Sequence, residues 1–129
     1  MGMYTELYIR CSLKSDTPKC VIETLRAMTD GTAETTPFGD GRRPYMFRTS
    51  SFYHHPSPVS RMDYIDYTDQ WYLFVRCDLK NYENEIEDFL CWIKPFIDAI
   101  PGEYIGHTFY EEDDIPTNLI YGEGYLECQ

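Results

Sequence analysis

No stretch of this 129-residue chain is apolar for the roughly 18 residues that a membrane-crossing helix needs, so no membrane partner is expected. The opening Met1-Gly2-Met3-Tyr4-Thr5-Glu6 lacks the basic and apolar regions of a signal peptide, which points to the cytoplasm. Cysteines stand at 11, 20, 77, 91 and 128, an odd set without C-x-x-C spacing, so reduced thiols are expected rather than a disulfide framework or a zinc site. Lysine and arginine are absent after Lys94. Residues 1–67 hold eight basic and eight acidic residues, whereas 68–129 hold three and fourteen, so the whole net charge of −11 falls in the second half. A field of that sign repels phosphate backbones, so direct nucleic-acid binding is not expected. It favours a basic protein partner, a cation, or simple solubility.

Catalytic signatures are missing as well. No Gly-rich phosphate loop follows a strand, and Gly39-Asp40-Gly41-Arg42-Arg43 lacks the strand–loop–helix context of an anion loop. His54 and His55 are adjacent, so on a strand they would point to opposite faces and chelate poorly; His107 is the only other histidine. Cys11 and Cys77 fall at inward positions, where burial keeps a thiol neutral and unreactive. No catalytic residue, cofactor or metal ligand is therefore assigned, and a non-enzymatic role is favoured.

What the chain does contain is an internal echo. Arg10-Cys11-Ser12-Leu13-Lys14 returns as Arg76-Cys77-Asp78-Leu79-Lys80, offset by 66 residues, and Ser51-Phe52-Tyr53 returns as Thr108-Phe109-Tyr110. Tyr4 to Leu13 alternates, with Thr5, Leu7, Ile9, Cys11 and Leu13 on one side; Gln70 to Leu79 alternates likewise, with Trp71, Leu73, Val75, Cys77 and Leu79. Period-two alternation marks a strand with one buried face. A helix follows each strand. The first is announced by a capping side chain in Asp16-Thr17-Pro18, carries Val21, Ile22, Leu25 and Met28 at helical spacing, and stops at Gly31. The second is capped by Asn81, carries Ile86, Phe89, Leu90, Ile93 and Ile97, crowds Glu83, Glu85, Glu87 and Asp88 near its start, and ends or kinks at Lys94-Pro95. Strands are then expected over about Pro44–His54 and Val59–Tyr67, and again over Glu103–Tyr110 and Asn118–Leu126.

This order predicts a single α+β domain. It reads as a two-layer sandwich of a duplicated β-α-β-β unit, with pseudo-repeats at about 4–67 and 70–127. The arrangement would be ferredoxin-like, with a mostly antiparallel sheet and two helices on one face. In such a sandwich the other sheet face has no cover. Tyr8, Arg10, Tyr72, Phe74 and Arg76 point there, which suggests a homodimer, another protein partner, or a nucleotide or anion held between Arg10 and Arg76. Glu111, Glu112, Asp113 and Asp114 form a carboxylate cluster on a hairpin tip, either solvated or facing a basic protein. The Gly/Thr-rich connection Asp30–Arg43 is read as a surface loop or a contacting element.

Met3-Tyr4-Thr5-Glu6-Leu7, Lys14-Ser15-Asp16-Thr17-Pro18 and Leu79-Lys80-Asn81-Tyr82-Glu83-Asn84-Glu85-Ile86 carry a resemblance, with Phe89-Leu90 and Trp92-Ile93-Lys94-Pro95. Together they resemble a family of small proteins encoded by bacteriophages and prophages, to which no function is assigned. The resemblance implies a setting, the host cytoplasm, and raises an interaction with a host protein above metabolic catalysis. It implies no site residue.

Overall fold

The computed structural model describes residues 4–39, 41–49, 58–81 and 84–124. Its elements run β1 (Thr5–Ser12), α1 (Lys19–Asp30), a 3-10 helix (Arg43–Arg48), β2 (Val59–Ile65), β3 (Gln70–Leu79), α2 (Glu85–Ile93), β4 (Tyr104–Tyr110) and β5 (Thr117–Ile120). The strands form one open antiparallel sheet in the order β2-β3-β1-β4-β5. The fold is α+β, and among the described residues no helix is long and apolar enough to cross a membrane.

The alternating patterns place the core. Leu7, Ile9 and Cys11 from the first strand, Leu13 just after it, and Leu73, Val75, Cys77 and Leu79 from the neighbouring strand are all buried. They join one cluster with the helical stripes Val21, Ile22, Leu25, Met28 and Ile86, Phe89, Leu90, Ile93, so both helices cover the same sheet face. Each such side chain contributes about 1.5–3 kcal/mol on burial. Burial pushes the Cys11 thiol up to about 12, with a smaller push from Glu103, and raises the Cys77 thiol as well. Neither sulfur is a nucleophile in the folded chain.

Helix ends follow the sequence in part. Gly31 closes α1 in the left-handed conformation at φ 79°, and its amide bonds to the Ala27 carbonyl. At the other end Pro18 itself takes the cap position and no side chain caps the helix. The Thr17 hydroxyl, expected near that cap, instead donates to the Lys14 carbonyl at 2.6 Å, which tightens the loop before the helix. The cap of α2 is Asn84, in the left-handed conformation at φ 60°, rather than Asn81; the Asn81 carboxamide oxygen reaches over from further back and accepts from the Ile86 amide at 2.9 Å. After Ile93 the chain passes into a 3-10 turn, Lys94–Phe96, where proline removes the next helical donor.

The expected strand at Pro44–His54 is corrected. Its first residues form the 3-10 helix, with Arg43, Pro44, Met46 and Phe47 buried and Tyr45 and Arg48 exposed. That is a period of three rather than two, and Pro44 opens it where no amide donor is needed. Residues 51–55, with His54 and His55, lie outside the described residues. The Asp30–Arg43 connection packs back on the second helix: Phe38 meets Trp92 at 5.1 Å and Phe89 at 5.7 Å between ring centroids, and Arg43 bonds Asp88 at 2.5 Å. The last expected strand is shorter than its pattern, ending at Ile120 before a turn.

Candidate functional site on the sheet face away from the helices

β1 is the middle strand, so its outward residues have neighbours on both sides. Tyr8 lies opposite Arg76 on β3 and opposite His107 on β4. The adjoining pairs set Arg10 against Phe74 and Ser12 against Tyr72. Directly paired residues share a face, so Tyr8, Arg10, Tyr72, Phe74 and Arg76 gather on the side away from both helices. Tyr8 stacks on the His107 ring at 5.1 Å and 7°, and meets the Phe74 ring nearly edge-on at 5.6 Å and 84°.

A bulge completes the cluster. Strict alternation would send Tyr104 and His107, three residues apart, to opposite faces. The β4–β5 register shifts between Tyr104 and Gly106, which returns Tyr104 to the His107 side. The Tyr104 hydroxyl then lies 3.0 Å from His107 Nδ1, and His107 Nε2 lies 2.8 Å from Glu6 Oε1. The other Glu6 oxygen holds the Arg76 guanidinium. A carboxylate accepts, so Nε2 donates to Glu6, while Nδ1 pairs with the phenol. Arg76 also stands 4.0 Å from Asp78, which is fully buried.

This chain of groups fixes rings rather than moving protons. Both imidazole nitrogens and both Glu6 oxygens are engaged, so neither presents a ready base to a substrate. The strand-borne charges on this face are mixed: Arg10, Arg61 and Arg76 stand beside Glu6 and Asp63, and Asp78 lies on the same side but is fully buried. Arg10 differs from its echo. It is exposed, with its guanidinium 5.6 Å from the Tyr104 ring centroid, whereas Arg76 is half-buried and ion-paired. Burial raises the Tyr72 phenol, partly offset by Arg10.

No protein-family model matches the chain, and neither a curated protein nor a solved structure matches it.

The five outward residues read from the sequence thus stand together. An anion between Arg10 and Arg76 would have to compete with Glu6, which already pairs with Arg76. The carboxylate cluster divides. Glu111 is half-buried and accepts from the Tyr4 amide at 3.2 Å, extending the β1–β4 pairing, while Glu112, Asp113 and Asp114 are exposed in the turn before β5. Among the described residues no group of three His, Cys, Asp or Glu side chains is placed to hold a metal ion. Sequence reasoning missed Tyr104 and His107 and gave Glu6 no role. The usable signal was Gly106 inside a strand pattern, since such a glycine marks a bulge or a close backbone approach.

Proposed function

We propose that the chain is a protein-interaction module that docks a basic partner on the sheet face away from its two helices. The observation that carries this reading is a ring-bearing face of mixed charge, with exposed Arg10, on a chain of net charge −11. The acidic remainder, with Glu112, Asp113 and Asp114 at the β4–β5 turn, draws a basic partner in at long range. Tyr8, Tyr72 and Phe74 then supply contact area, and the exposed Arg10 an anchor, in keeping with the tyrosines and arginines that dominate binding energy at interfaces. In the phage setting that the sequence resemblance implies, the partner is a host protein. The same proposal takes strand order β2-β3-β1-β4, with α1 and α2 as crossovers, as a ferredoxin-like arrangement made by duplication, with β5 appended. In its support, the 66-residue offset carries β1 onto β3, and Ile9 pairs with Val75, its own counterpart.

Arg10→Glu tests the reading, because Arg10 is exposed and its change leaves the core untouched. Wild type, Arg10→Glu and a Glu112→Gln/Asp113→Asn/Asp114→Asn variant would each be used to capture proteins from bacterial lysate, with and without about 0.3 M added salt. One protein should be captured by wild type, at least about tenfold less by Arg10→Glu, and less by all as salt rises. Capture indifferent to Arg10→Glu refutes docking on this face, and capture indifferent to salt refutes electrostatic recruitment. A doubled light-scattering mass that Arg10→Glu abolishes would put a second copy in place of the basic partner.

A further inference from the structure

Cations are scarce in this chain, yet three of its eleven line one cleft. It lies between the start of α1 and the β2–β3 hairpin, and Lys14, Lys19 and Arg26 face Tyr64, Asp69 and Trp71 across about 330 Å³. All three cations are exposed, and among the described residues none of them makes an ion pair. Of the two acids present, Asp69 already accepts a hydrogen bond from the Tyr64 hydroxyl, a contact that raises the phenol and pins its ring to the wall. The other wall is fixed too. Lys14 is held through its amide to the Phe96 carbonyl at 2.8 Å, and Thr17 closes the turn behind it.

Two rings stand opposite these cations. Tyr64 and Trp71 are a directly paired cross-strand couple on the helix side of the sheet, with centroids 5.4 Å apart. The Arg26 guanidinium lies over the indole at 5.3 Å, so a flat guanidinium and a half-exposed phenol both offer stacking surface. The space falls at the lower end of the range for small-ligand sites, roughly 300–1,000 Å³. Unpaired cations beside fixed aromatic surface suit a molecule that is anionic at one end and ringed at the other. We propose that this cleft binds a small ring-bearing phosphate of mononucleotide size, its phosphate on Lys14 and Lys19 and its base against Tyr64 and Arg26. This site is separate from the sheet face away from the helices, and its test does not depend on any protein partner.

Titration of the purified chain with AMP and UMP, followed by tryptophan fluorescence and calorimetry, tests the assignment, with adenosine and inorganic phosphate as half-ligands. Saturable nucleotide binding is expected, with each half-ligand weaker by at least about tenfold. Lys14→Gln/Lys19→Gln should weaken AMP by about tenfold or more without moving the melting temperature, since both side chains are exposed. Tyr64→Phe should retain binding and Tyr64→Leu reduce it. The proposal is overturned if neither nucleotide saturates below about 10 mM, or if the double lysine variant binds AMP as wild type does. Phosphate equal to AMP would remove the ring from the site, and adenosine equal to AMP would remove the anion; either result overturns the assignment.

Discussion

Gly106→Ala should be among the most damaging single-methyl changes in the molecule. A Cβ at this position would lie 1.9 Å from the carbonyl oxygen of Tyr8, 2.9 Å from its carbonyl carbon and 3.1 Å from the Ile9 Cα. All three are backbone atoms of the central strand, so no rotamer change relieves the contact. To reach even 3.0 Å the two backbones must part by about 1.1 Å, which stretches the neighbouring ladder bonds past useful length. Two lost backbone hydrogen bonds at about 1 kcal/mol each, plus the desolvation of buried groups left unpaired, give a loss of about 3–4 kcal/mol. That is a large part of the 5–15 kcal/mol that holds a typical domain together. Urea denaturation should show the midpoint falling with little change in slope, and the melting temperature should drop by about 10 °C or more. Because the same bulge aims Tyr104 at His107, spectroscopic changes at the tyrosine should accompany the loss. A destabilisation below about 1 kcal/mol would mean that the two strands do not approach as closely as described, and would refute the account of the bulge.

The echoed arginines should separate sharply: Arg76→Ala, which leaves half-buried Glu6 without its guanidinium, should cost about 2–4 kcal/mol in chemical denaturation, while Arg10→Ala should stay within about 1 kcal/mol. Equal costs would remove the distinction between them. Phe47→Ala should cost about 3–5 kcal/mol, because the ring is fully buried and meets Phe89 edge-on at 5.1 Å; a surface-like cost would take the 3-10 helix out of the core. In the native chain iodoacetamide at pH 8 should alkylate exposed Cys20 and Cys91 but spare Cys11 and Cys77 until denaturant is added, as mass spectrometry would show. Both buried thiols titrate higher when folded than unfolded, so their stabilising effect is complete below about pH 9 and should be lost as pH rises toward 12.

Much of the fold was legible because alternation is a local signal. Leu7 to Leu13 and Leu73 to Leu79 announce their buried face without reference to anything distant, and so do the helical stripes. What was not legible depended on partners. Arg10 and Arg76 sit in the same local motif, and only the pairing of β1 with both β3 and β4 decides that His107 and Arg76 share Glu6 while Arg10 is left to Tyr104. Pro44 to Arg48 misled because an apolar run with charged flanks fits a strand as well as a 3-10 turn until its burial period is known. The cleft was invisible for the same reason. Lys14, Lys19 and Arg26 come from the first loop and helix, while Tyr64 and Trp71 meet across a hairpin whose register the sequence leaves open.

The central position of β1 also sets the order in which the chain can fold. During synthesis Thr5 must wait for Leu79 on one side and Tyr110 on the other before its amides and carbonyls are paired. Until β4 has left the ribosome, the strand bearing Tyr8 and Arg10 lacks one whole neighbour. Long-range pairing of this kind slows folding and leaves an incomplete sheet open to aggregation. A nascent chain stalled before Tyr104 should therefore stay protease-sensitive throughout, and become resistant in a single late step once β4 and β5 emerge.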